Sequence, residues 1–245
     1  RQGIGDLLAD GVKAAAHRMG RGSEAFAIHV KGLEWSGYET RNAPSMMLAY
    51  LTSDIGANHG RAWVLGHDVA GSWSSVHDLI ASGGEVKPQP KAVIGRQCAD
   101  YVIESQHLRP TFDMLGVCRL QLMELGFEVN HYEHLFQVIT GQSHTWAELL
   151  KISEKVWHLT RAFSAREIEG FGRVWDYPPA RFSHEPIPDG PNAGHLIGPE
   201  KIDCLLDWYY AARGWDRNGI PTRETLTAVG LPAAAAALEA KGYYL

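Results

Sequence analysis

The sequence is poor in cysteine. Its 245 residues hold three, Cys98, Cys118 and Cys204, and no two form a CxxC pair. So sparse and odd a set builds no disulfide framework. Alone it completes neither a zinc ribbon nor a four-cysteine cluster. A reducing cytoplasm is the expected compartment. No apolar run approaches the roughly 18 residues of a membrane span; the most monotonous stretch, Pro232 to Leu238, is short and mostly alanine. Residues Arg1 to Asp6 contain neither the apolar core of a signal peptide nor an initiator Met, and open almost directly into a helical pattern. A piece of a longer chain, or a processed subunit, is therefore expected. Positive charge is not in excess: 23 Lys and Arg stand against 28 Asp and Glu, a net charge of −5. That argues against a nucleic-acid-binding face. Alternating strand runs and internal repeats are missing too.

What remains is an ordinary globular composition, 45% apolar and 21% charged, with helical periodicity. Ile4, Leu7, Leu8, Val12, Ala15 and Met19 share one face, with Gly20 as the stop. Residues 25–34 read as a short extended connector. A helix is expected from Ala43 to Ile55, a breaker-rich loop from Gly71 to Lys91, a helix around Val93 to Val102, a turn at Pro110, and helices from Val117 to Leu125 and His131 to Ile139. Thr145 and Glu148 have capping-box spacing ahead of a long amphipathic helix. Residues 176–199 gather six prolines into a long loop, Pro199 opens a helix that Gly214 closes, and short helices follow Thr222 and begin at Pro232. The expected fold is mostly α, an irregular multi-helix domain with long loops and about nine or ten helices.

Several segments carry reactive side chains. In Asp113–Cys118 (DMLGVC) a carboxylate, a glycine and a cysteine fall within six residues, after the proline turn and before the next helix. A thiolate at a helix start suits a metal or cluster ligand. The glycine admits a flat cofactor and the carboxylate accepts from a guanidine-like edge. The same residues also read as a small buried cysteine and a helix N-cap. Asn58-His59-Gly60-Arg61 places a proton-carrying ring two residues from a guanidinium on a glycine turn, which suits an anionic group or is simply a polar turn. Residues 213–222 resemble a calcium loop but lack its closing Glu. His131 and His134 share a helix face without matching a zinc motif.

Taken together, five blocks resemble one family, the tungsten-containing aldehyde ferredoxin oxidoreductases, in their C-terminal part. They are Asp6–Ala15 (DLLADGVKAA) through His29–Glu34 (HVKGLE), Tyr50–Ala62 (YLTSDIGANHGRA), Asp113–Cys118, Arg161–Glu167 (RAFSARE), and Asp207–Tyr210 through Arg213–Thr222 (RGWDRNGIPT). They stand in the family's order across nearly the whole chain. The resemblance implies that residues 1–35 end the family's middle domain and residues 36–245 form its C-terminal helical domain. It implies that Asp113, Gly116 and the Val117 backbone hold one pterin of a tungsten (or molybdenum) bis-pterin, with Val117 replacing the usual Leu. Cys118 would be one of four ligands to a 4Fe-4S cluster. His59 would be a proton donor or a substrate-oxygen binder near the metal, and Arg61 would lie at the pterin.

The family's other three cluster cysteines, its second pterin element and its active-site Glu would lie upstream of residue 1. By the resemblance, the N-terminal part of the same enzyme or a companion subunit must complete the site. The implied reaction is oxidation of an aldehyde to a carboxylate, with ferredoxin or a similar carrier taking the electrons. Two alternatives stay open: a same-family aryl-CoA reductase subunit, and a non-catalytic helical scaffold.

Overall fold

The computed structural model describes residues 2–64, 68, 94–121 and 128–244. Ten α-helices are present among them: α1 (Gly3–Leu8), α2 (Gly11–Met19), α3 (Pro44–Thr52), α4 (Arg96–Leu115), α5 (Val129–Thr140), α6 (Trp146–Glu167), α7 (Ala180–His184), α8 (Pro199–Arg213), α9 (Arg223–Ala228) and α10 (Pro232–Ala240). The mostly α, irregular architecture is the expected one. The loop at 71–91 and most of the helix at 117–125 lie outside the described residues, although Leu120 and Gln121 are helical.

The N-terminal stripe is two helices rather than one. Glu34 accepts the Val12 N–H at 2.7 Å, so a carboxylate from the next element restarts the helix. The connector after it is a hairpin, β1 (His29–Val30) paired antiparallel with β2 (Leu33–Glu34). Its two-residue turn has positive φ at Lys31 (53°) and Gly32 (90°), the type I′ geometry that suits tight hairpins. Lys31 is held there by a buried ion pair, its Nζ 2.7 Å from Asp176 Oδ1. Asp176 also takes two N–H groups of Arg161 (3.0 and 2.6 Å) and the Tyr210 hydroxyl (2.7 Å). Burial disfavours its charge, yet Arg161 and then Lys31 hold its carboxyl below the usual range. One carboxylate thus ties the hairpin to α6 and α8.

α3 is apolar on every side and fully buried. Its N-terminus is capped from outside by Asp68, which accepts from Ser45 N (3.2 Å) and Met46 N (2.7 Å). It packs with α4 and α8 in the main core, around Met46, Met47, Tyr50, Val102, Leu205 and Tyr209. A second core joins α6, α9 and α10 through Ala162, Leu226 and Leu238, and a third joins α4, α5 and α6 through Phe112, Tyr132 and Trp146. The capping box at Thr145 and Glu148 is formed.

α4 departs most from expectation. It runs through Pro110 without ending. Proline leaves the carbonyl four residues back without its helical donor. That carbonyl belongs to Gln106, and the Trp157 indole N–H of α6 donates to it. A neighbouring helix replaces the missing bond, so the expected turn becomes a continuous helix. The proline-rich stretch is also less extended than expected, since α7 lies within it.

Candidate functional site

Two segments build the site. The first follows α3. Gly56 adopts φ +106°, and a Cβ there would lie 2.2 Å from the Val30 carbonyl oxygen and 2.9 Å from Leu33 Cβ. Only glycine lets this turn sit on the hairpin. Asn58 then closes a tight turn, its Oδ1 taking the Gly60 N–H at 2.6 Å. Trp63 N donates to Ser105 Oγ of α4 at 3.2 Å and anchors the far end. The turn delivers Arg61 to α4, where its Nη1 donates to Asp113 Oδ2 at 2.7 Å. Its Nε lies 3.0 Å from Asp54 Oδ1 as an ion pair. Arg61 therefore joins two carboxylates from different elements.

The second segment is the end of α4. Asp113 lies in the last turn of that helix, not ahead of a new one. Gly116 ends the helix in the left-handed conformation, φ 68°. Its N–H bonds to Asp113 O and that of Val117 to Phe112 O, a double C-terminal closure. The Val117 N–H is thereby used in closing the helix. A Cβ on Gly116 would meet nothing within 4 Å, so open space faces that backbone. Cys118 follows with an exposed, free thiol, and its carbonyl accepts from Gln121 N at 3.5 Å.

These segments line one open cleft of about 280 Å³. Asn58, Gly60 and Arg61 form one wall, Arg109, Phe112 and Asp113 another, and Val117, Cys118 and Arg119 the third. Of the expected site residues, the structure brings Arg61, Asp113, Val117 and Cys118 together there. Gly116 sets the turn between them. His59 is set apart: its neighbours Asn58 and Gly60 line the cavity, while its own ring packs edge-on against Tyr38 (5.7 Å) and Trp63 (5.6 Å).

Arg109 escaped the sequence reading. It is 4% exposed, and its buried Nη1 has no hydrogen-bond partner. Its signal was its spacing from Asp113, four residues on and hence on one helix face, which a turn at Pro110 conceals.

The residues matched by the family described as "Aldehyde ferredoxin oxidoreductase, domains 2 & 3" are 1–231. The chain belongs to the aldehyde ferredoxin oxidoreductase family. It is 29% identical over 231 residues to the tungsten-containing aldehyde ferredoxin oxidoreductase of Pyrococcus furiosus, covering 94% of this chain and 35% of the relative. The Pyrococcus abyssi enzyme of the same name is 29% identical over 232 residues, with the same coverage of each chain. The aliphatic sulfonate oxidoreductase WOR-like subunit of Pyrococcus furiosus is 23% identical over 245 residues, covering 94% of this chain and 33% of that protein. This aldehyde ferredoxin oxidoreductase family member therefore spans about a third of the length of the relatives it matches. Its fold is similar to that of the BamBC active-site complex of benzoyl coenzyme A reductase, with a TM-score of 0.72 and 23% identity over 98% of this chain and 38% of that one.

A cluster or metallopterin can be tested against this family member's own residues. Cys118 offers one thiolate, Asp113 one carboxylate already oriented by Arg61, and Arg109 an unsatisfied buried donor. Among the described residues no group of three or more His, Cys, Asp or Glu could hold a metal ion. Cys118, Asp113 and Arg109 fit one edge of such a group.

Proposed function

We propose that this chain is the C-terminal cofactor-binding portion of a tungstopterin, iron–sulfur oxidoreductase that oxidises aldehydes to carboxylates and passes electrons to a ferredoxin-type carrier. The observation that carries the reading is the cavity shared by Asp113, Arg61 and Cys118, which joins motifs more than fifty residues apart in sequence. The tungsten (or molybdenum) bis-pterin and 4Fe-4S cluster would be completed by the N-terminal part of the same enzyme or by a companion subunit. Residues 1–35 would close the middle domain and residues 36–245 form the helical domain. The cytoplasm is the proposed compartment, on three free and separate thiols.

In this reading Cys118, as its thiolate, would hold one iron of the cluster. Asp113, with one carboxylate oxygen on Arg61, would accept from the amino edge of a pterin with the other. Gly116 would open the backbone to the ring, and the Val117 backbone would help hold it. Arg61, bridging Asp54 and Asp113, fixes the carboxylate and supplies positive charge at the pterin. When bound, metal and pterin supply the two-electron oxidation and the cluster an exit for electrons one at a time. RCHO + H2O → RCOO⁻ + 3H⁺ + 2e⁻ releases protons, and His59 takes or passes one at a ring nitrogen. Its edge-on contacts with Tyr38 and Trp63 orient the ring.

The test is aldehyde-dependent reduction of a ferredoxin or dye by the complete enzyme. His59→Ala is expected to lower turnover at least about 100-fold while tungsten and iron content stay at the wild-type level. Wild-type turnover in that variant removes His59 from the chemistry; no aldehyde-dependent reduction by the wild type removes the reaction itself.

A further inference from the structure

Arg109 is the one arginine whose surroundings the fold leaves incomplete among the three that are nearly fully buried. Arg161 (5% exposed) is matched by Asp176 and the Gly219 carbonyl. Arg213 (4% exposed) is matched by Gln106, His107 and the Tyr209 hydroxyl. Arg109 is equally buried and equally charged, yet no described residue accepts from it and its Nη1 has no partner. A guanidinium stays protonated in proteins. Burying one uncompensated costs several kcal/mol, so the fold keeps this charge for a group that arrives later.

The position says what kind of group. Arg109, Phe112 and Asp113 form one face of α4 and one wall of the cavity that also holds Cys118. Asp113, one turn away and the natural partner, is engaged by Arg61. An exposed free thiol and a buried guanidinium without a partner on Nη1 therefore line one open cleft. An anionic ligand held through sulfur satisfies both.

We infer that Arg109 is a positioning residue for the anionic iron–sulfur group that Cys118 holds, donating an N–H to its sulfur and raising its affinity for electrons. The inference rests on the reading of Cys118 as a cluster ligand. Reduction adds negative charge to the group. A buried cation beside it stabilises the reduced form more than the oxidised one, so the potential rises. Lysine keeps the charge but not the planar fork of donors. Glutamine keeps neither.

The experiment is a redox titration of the complete enzyme, followed by electron paramagnetic resonance, with iron, tungsten and pterin measured on the same samples. The expected order of cluster midpoint potentials is wild type highest, Arg109→Lys lower, Arg109→Gln lowest, with iron, tungsten and pterin retained. Any variant that folds tests the order, so a failure of Arg109→Gln to fold leaves Arg109→Lys decisive. Iron present with the potential unmoved overturns the inference and leaves Cys118 as ligand. Loss of pterin with the potential unmoved overturns it by assigning Arg109 to the pterin. Absence of iron from the wild type overturns the reading of Cys118 itself, and the inference with it.

Discussion

The continuity of α4 through Pro110 hangs on one hydrogen bond from another helix, and this can be measured. Trp157 is 3% exposed, with its indole N–H donating to the Gln106 carbonyl that Pro110 cannot serve. Trp157→Phe removes the donor while keeping an aromatic ring beneath Arg213, whose Cζ lies 5.4 Å from the ring centre. A buried carbonyl left without a donor costs about 1–3 kcal/mol, and the void from the smaller ring adds about 1 kcal/mol. The expected loss is thus about 2–4 kcal/mol, a melting-temperature fall of roughly 5–15 °C for a domain of this size. Pro110→Ala gives residue 110 its own N–H, which can reach the same carbonyl in ordinary helical fashion. In that background Trp157→Phe should cost only the void, about 1 kcal/mol. The four proteins make a double-mutant cycle by urea and thermal denaturation, with an expected coupling of about 1–3 kcal/mol. A Trp157→Phe penalty equal in both backgrounds to within about 0.5 kcal/mol would refute the argument.

Two further outcomes follow from the same geometry. Gly56→Ala must place a Cβ 2.2 Å from a backbone oxygen at φ +106°, so it should lower stability by at least about 2 kcal/mol; an unchanged urea midpoint would contradict the close approach. His107 Nε2 lies 2.6 Å from Arg213 Nη1, an arrangement that requires the neutral ring to accept. Burial chiefly, and then the Arg213 charge, push its pKa from 6.5 down to about 3. The unfolded chain binds that proton near pH 6.5 and the folded chain does not. Stability from this group is therefore full above pH 6.5 and falls as pH drops toward 3, by up to about 1.4 kcal/mol per unit. His107→Gln should flatten the dependence between pH 6 and 4; equal slopes would mean that His107 titrates normally.

What the sequence could show was whatever is decided locally. The Thr145–Glu148 box, Pro199 with Gly214, and Thr222 each carry their own start or stop signal, and each helix stands where those residues put it. What it hid was decided by distant partners. α3 is capped by Asp68 from beyond the helix, α2 by Glu34 from the hairpin, and α4 is carried past its proline by Trp157. The hairpin has strands of two residues, too short for an alternating pattern to register. The same limits shaped the site. The Asp113–Cys118 and His59–Arg61 motifs were legible because each is a run of adjacent residues. The resemblance put both motifs at one pterin, but the Arg61–Asp113 pair itself was not legible, because it joins residues 52 apart. Arg109 was not legible, because its role depends on α4 staying helical across residue 110.

The central claim is that Cys118 contributes one ligand to an iron–sulfur cluster completed elsewhere in the enzyme. Iron and tungsten content of the complete enzyme, wild type against Cys118→Ala, tests it most directly. The account predicts roughly four iron atoms per molecule with tungsten in the wild type, and a loss of iron and of the cluster's spectroscopic signal in the variant. A variant with wild-type iron and an unchanged cluster signal would contradict it.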